Sequence, residues 1–160
     1  MINFNNPQKL EIYNAFIDEF SQLFRSLNLD STTNITCVNT HYPLAVAVTI
    51  SDDPFATNTI VKPLLIVMNE TICNNLNLTQ REHFAMIAHE IGHIIDSTPR
   101  LGNEMQREIN ADNFAVSLEL TQDLITGLTK IIDSGKYAAH VEGIQARIRQ
   151  LSDAKSTARM

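Results

Sequence analysis

Cysteine is scarce in these 160 residues: only Cys37 and Cys73 occur. Neither belongs to a Cys-x-x-Cys pair, so both are poor metal-ligand candidates. Two unpaired thiols fit a reducing compartment. The first residues, Met1-Ile2-Asn3-Phe4-Asn5-Asn6, lack a charged segment followed by an apolar run, so no secretory signal is read there. A cytoplasmic protein is the expectation. No apolar stretch approaches the roughly 18 residues a membrane span needs, so no membrane partner is expected. Positive charge is also short. Twelve Lys and Arg stand against 18 Asp and Glu, a net charge of -6. Nucleic acid and anionic lipid favour basic patches, so neither is expected as a partner. Internal repeats and low-complexity tracts are missing too. What remains is an ordinary globular composition, 44% hydrophobic and 19% charged. That length suits one domain over 1–160, with the polar stretch 152–160 as a frayed tail.

The chemistry is concentrated in Ala88-His89-Glu90-Ile91-Gly92-His93, which reads H-E-x-x-H. On a helix, positions i and i+4 share a face, so His89 and His93 can aim two imidazoles at one Zn²⁺. Glu90, beside them, is placed to act as general base toward a water. The segment opens with Thr79-Gln80-Arg81-Glu82, a capping box. Its many apolar positions, Phe84, Ile87, Ala88, Ile91, Ile94 and Ile95, predict a largely buried helix. Two histidines and a glutamate on such a helix are costly unless paired or coordinating. Ser97-Thr98-Pro99 ends it.

Around this helix the pattern predicts both element types. Asn6-Pro7 starts a helix over 7–27, with Leu10, Tyr13, Ile17, Phe20, Phe24 and Leu27 as its apolar stripe. Residues 35–38, 45–50 and 64–68 read as strands, and their short connections favour antiparallel pairing. After the motif helix, a turn through Arg100-Leu101-Gly102 leads to a helix capped by Asn103. Further helices are expected at 121–133 and 138–152. The sum is an α+β chain: a short, mostly antiparallel sheet packed on the motif helix, plus several further helices.

A hydrolytic zinc site takes three protein ligands and leaves a fourth position for water. The third should come from a helix beside the motif. Glu104 and Glu108 share a face there, and Glu108 is preferred because Asp112 lies one turn further on. A carboxylate at 112 can accept the second N–H of a ligand imidazole and fix its tautomer. Glu104, near the helix start, has a plain alternative as a charge offsetting the helix dipole. His41 reads as a loop histidine, and His83, off the ligand face, as structural or exposed.

His89-Glu90-Ile91-Gly92-His93 followed by Glu108-Ile109-Asn110-Ala111-Asp112-Asn113-Phe114-Ala115 resembles the gluzincin pattern H-E-x-x-H…E-x-x-A-[DN]-x-F-A. It is most similar to ImmA/IrrE-type metallopeptidases, and next to HtpX-like peptidases. The likeness covers roughly residues 64–118. It implies a small zincin-like domain with one Zn²⁺ per chain, Glu108 as third ligand and Glu90 as general base. It also implies that the strand before the motif helix lines the substrate cleft. An extended protein or peptide substrate is expected to add to an exposed sheet edge, either Leu64–Met68 or Val46–Ile50. HtpX-like enzymes carry a late His-Pro…Arg-Ile…Leu segment. Here His140-Val141…Arg147-Ile148…Leu151 is similar, without the proline and one residue longer. By that likeness His140 is a candidate transition-state stabiliser, while Arg147 reads as a surface charge. The expected activity is metal-assisted peptide hydrolysis; the alternative is a non-catalytic zinc-containing protein-binding domain.

Overall fold

The computed structural model describes residues 15, 16, 18–22, 35–38, 46–49, 64–67, 75–99 and 101–158. By contact density the chain divides into two compact units, Met1–Thr71 and Ile72–Met160.

In the first unit, the described residues between 15 and 22 are helical apart from a turn at Phe20. The Phe16 and Phe20 rings, one turn apart, meet with centroids 4.8 Å apart; Phe16, buried here, was not part of the stripe expected from the sequence. The rest of the helix expected over 7–27 lies outside the described residues, as does His41. Three strands follow: β1 (Ile35–Val38), β2 (Val46–Thr49) and β3 (Leu64–Val67). Their order is β1-β3-β2. β2 runs antiparallel to β3, pairing Val46 with Val67 and Thr49 with Leu64. β1 runs parallel to β3, pairing Ile35 with Leu64 and Val38 with Val67. Being paired on both sides, β3 has no free edge for an added strand, which removes Leu64–Met68 as a docking edge.

The second unit carries the motif, and its regular elements among the described residues are all helical. It consists of α1 (Gln80–Ile95), α2 (Glu104–Ser117), α3 (Thr121–Asp133), a 3-10 turn (Ala138–His140) and α4 (Val141–Ala158). The α+β expectation, with a mostly antiparallel sheet against the motif helix, is therefore corrected. The strands are only four residues long, their pairing is mixed, and they belong to the other unit. Within its own unit α1 packs on α2 and α3, and α4 packs on both of those. None of the described helices is long and apolar enough to cross a membrane.

Local chemistry sets the ends of α1. The Glu82 N–H donates to Thr79 Oγ1 at 3.2 Å, and the Thr79 N–H donates to Glu82 Oε2 at 3.0 Å. A cap of this kind stabilises a helix by about 1 kcal/mol. Lys130 of α3 adds to it, its Nζ donating to Glu82 Oε2 at 2.8 Å and to the Asn77 carbonyl at 3.0 Å. At the other end, Asp96 Oδ1 accepts from the Thr98 N–H at 3.0 Å and from Asn110 Nδ2 at 3.3 Å. Arg107 donates to the Thr98 carbonyl. Two side chains of α2 thus hold the exit of α1.

The α1–α2 contact is made by small residues. A Cβ on Gly92 would stand 2.7 Å from Ala111 Cα and 2.8 Å from its carbonyl oxygen. Glycine at this place lets the two backbones touch. Ala88, Ala111 and Ala115 are buried with it. The connection back to α2 passes through Gly102, whose φ of 76° suits a residue without Cβ. Asn103 stands at the N-cap as expected, but its side chain makes no cap hydrogen bond. Its Nδ2 instead donates to the Pro99 and Leu101 carbonyls, bracing the turn.

Leu120, Leu124, Leu128 and Ile131 of the α3 segment form the core with Ile144 and Leu151 of α4. The polar stretch after Leu151 is helical over its described residues. α4 continues to Ala158, and Lys155 reaches back to Gln122 at the start of α3. Ala154, Lys155 and Ala158 are good helix formers, so polarity alone did not mark an end.

Candidate metal centre

His89 and His93 lie one turn apart on α1, their rings edge to face with centroids 4.5 Å apart. The Gly92–Ala111 contact brings the preceding turn of α2 opposite them, and Glu108 sits on that turn. Its Oε2 is 3.3 Å from His89 Nε2, and its Oε1 is 3.1 Å from His93 Nε2. Three ligand atoms, one each from His89, His93 and Glu108, lie within 4.8 Å of one another, a group that can hold a metal ion. Tetrahedral ligands about 2.0–2.1 Å from a zinc ion stand roughly 3.3 Å apart, close to the separations of Glu108 from the two imidazoles.

Asp112, one turn beyond Glu108, is buried. Its Oδ1 lies 2.8 Å from His89 Nδ1. A proton on Nδ1 donated to this carboxylate leaves the Nε2 lone pair facing Glu108 and His93, the orientation an imidazole ligand needs. Arg147 of α4 completes the layer, donating from Nε to Asp112 Oδ2 at 2.8 Å and from Nη2 to Oδ1 at 2.7 Å. Its Nη1 lies 3.2 Å from Glu108 Oε2. Nη2 also comes within 3.2 Å of His89 Nδ1; both nitrogens converge on the same Asp112 oxygen.

The charges fit a divalent cation. Glu90, Glu108 and Asp112 bring three carboxylates against one guanidinium, leaving two negative charges when all are ionised and the imidazoles neutral. Burial and Arg147 both push the His89 pKa down, but hydrogen bonds to Asp112 and Glu108 outweigh them and lift it to about 9. The carboxylates that attract a proton there also attract a metal cation, which would take that proton's place. Glu108 is raised by burial, yet its hydrogen bonds with His89 and His93 hold it far below the usual carboxylate range. Asp112 is lowered for the same reason, by His89 and Arg147 working against its burial.

Glu90 differs. It is 5% exposed, and its buried Oε2 has no hydrogen-bond partner. Burial outweighs the nearby imidazoles and raises its pKa. A buried carboxylate oxygen without a partner is costly unless something else binds it. Beside two imidazoles, that something is a proton, a water or a reacting group. On the outer side, an open hollow of about 340 Å³ is lined by His93, Leu101, Glu104, Arg107 and Glu108. Leu101 is 92% exposed at its rim.

The tertiary fold therefore gathers His89, Glu90, His93, Glu108 and Asp112. Glu104 lines the hollow but stands outside the ligand group. His83 is buried. His140 ends the 3-10 turn, exposed to solvent, and its ring makes no hydrogen bond or ion pair with the cluster among the described residues. Arg147, read from sequence as a surface charge, is 9% exposed and belongs to the site. The signal was present: Arg147 falls three residues after Ile144 and four before Leu151, both buried. It therefore occupies the apolar stripe of α4. Comparison with protein-family models, curated proteins and solved structures finds no match to this chain.

Proposed function

We propose that this chain is a zinc-dependent metallopeptidase acting on a protein or peptide substrate, with His89, His93 and Glu108 as ligands and Glu90 as general base. The observation that carries the reading is the conjunction of a three-ligand group with a buried, partnerless carboxylate oxygen on Glu90, the residue next to His89 on the same helix. A site built only to hold an ion for structure has no need of that fourth group. The likeness of the two motif segments to gluzincins supports the same assignment. Zinc, where bound by such ligands, lowers the pKa of a coordinated water toward about 7 and polarises a carbonyl.

The chain's own residues supply the remainder. Asp112 and Arg147 hold His89 in one tautomer and orientation. Glu90 receives a proton from the attacking water on its free oxygen and returns it to the leaving amine. The hollow beside His93 and Glu108 gives an extended chain a route to the ligand group, with Leu101 as an apolar wall. Burial of Glu90 on α1 keeps bulk water from competing for its proton.

Metal analysis and peptidase assay of wild type and Glu90→Gln test the reading. Both proteins should bind about one zinc ion per chain, and the variant should lose on the order of 10²–10⁴-fold in kcat. Equal activity in the two would remove the catalytic assignment, and a wild type that binds no metal would remove the site itself.

A further inference from the structure

Arg147 is a buried cation in a cluster whose expected occupant is also a cation. Two positive charges so close repel one another, so a guanidinium here works against the binding of that cation even though the carboxylates around it attract both. Its contacts supply the reason for its presence. Two nitrogens grip Asp112 in fork geometry at 2.8 and 2.7 Å, and the third faces Glu108 Oε2 at 3.2 Å. Asp112 in turn holds His89 Nδ1. One side chain from α4 thus reaches two of the three ligands, one directly and one through a carboxylate.

We infer that Arg147 is a positioning residue: its guanidinium holds Glu108 and, through Asp112, His89 in the arrangement that accepts a metal ion. The inference rests on the metal reading above. Geometry favours it over a purely structural ion pair. A bridge meant only to fasten α4 to α2 needs Asp112 alone. The Nη1 contact to Glu108 and the sharing of Asp112 Oδ1 with His89 are superfluous to that task. Lysine in this place offers a single point charge and no fork.

Three accounts of Arg147 predict different results for ion affinity. If the residue acts through its charge, removing it relieves repulsion and tightens cation binding. If it serves stability alone, removal lowers the melting temperature and leaves the affinity of the folded protein unchanged. If it positions ligands, removal weakens binding despite the lost repulsion. The experiment measures Zn²⁺ affinity by chelator competition and the visible spectrum of bound Co²⁺, on the full chain. It compares wild type, Arg147→Met, Arg147→Lys and the control Arg149→Met, an exposed position on the same helix.

Positioning predicts that Arg147→Met and Arg147→Lys both bind Zn²⁺ about 10–100-fold more weakly. Their Co²⁺ spectra should be altered, while Arg149→Met stays at the wild-type value. Should Arg147→Met fail to fold, Arg147→Lys, which keeps the charge and gives up the fork, decides in the same terms. Unchanged or tighter binding in a folded variant, against a wild type that binds normally, overturns the inference while leaving the metal site standing. A wild type that binds neither ion overturns both together.

Discussion

At the scale of single residues, burial decides what each charge does. Glu82 and Glu90 are both 5% exposed, yet they shift in opposite directions. Burial raises both. For Glu82 the hydrogen bonds from Lys130 and the Thr79 N–H outweigh it, and its pKa ends below the usual value. Glu90 lacks such donors and ends above it. Glu82 is ionised in the folded chain at pH values where the unfolded chain has already taken up a proton. Its contribution is therefore complete above the unfolded value of about 4.3 and is lost as pH falls through the lower folded value. Lys130→Met should destabilise the protein at neutral pH, and the gap to wild type should shrink in acid. Urea denaturation of both proteins from neutral to strongly acid solution checks this; a gap that does not change with pH counts against it.

At the scale of elements, the decisive feature is the closeness of α1 and α2. Gly92 stands inside the H-E-x-x-H motif and touches the backbone of Ala111. Ala111 lies three residues beyond Glu108, so the separation of the helices at this point sets the reach of the third ligand. Gly92→Ala should improve helix propensity by about 1 kcal/mol. The added methyl, however, meets backbone, which cannot rotate aside. Overpacking of this kind costs about 1–3 kcal/mol, and here it also pushes Glu108 away from the imidazoles. The expected outcome is a less stable protein with weaker zinc affinity, checked by thermal melting and chelator competition. An alanine variant as stable and as zinc-avid as wild type would show that the close approach is not needed.

At the scale of the whole molecule, an ion bound only by the folded chain must stabilise it. Two ligands come from α1 and one from α2, and none of the three is prearranged in an unfolded chain. With free Zn²⁺ at about 100 times its Kd, stability should rise by about 2.7 kcal/mol, and Tm by about 5–10 °C. A strong chelator should reverse the shift, and His89→Ala should abolish it. Calorimetry with and without zinc provides the check, and a Tm indifferent to zinc would tell against the ligand set.

How legible all this was follows the distance over which each feature is determined. The start of α1 was readable because Thr79 and Glu82 are three residues apart, and the ligand pair because His89 and His93 are four apart. Glu108 and Asp112 were readable as a pair one turn apart, once a helix was assumed to return beside the motif. Other features depended on contacts between distant segments. The parallel pairing of Ile35–Val38 with Leu64–Val67 reversed an expectation drawn from loop length. The helix expected to end near residue 152 runs on to Ala158, through a stretch whose polarity carried no sign of it. Arg147 looked like a surface charge because its partners lie 35 and 39 positions earlier in the chain.

Local sequence by itself determined the chemistry on offer: two imidazoles and a carboxylate on one helix, and two more carboxylates a turn apart on the next. Helical periodicity and capping act within a few residues, so they are written in the order of the chain. Only the tertiary structure decided which groups meet. A glycine–backbone contact brings Glu108 to the imidazoles, and a distant helix contributes the guanidinium that holds Asp112. Within its own unit the motif helix packs against α2 and α3. Such outcomes depend on which surfaces fit when the helices come together, and no single segment contains that information.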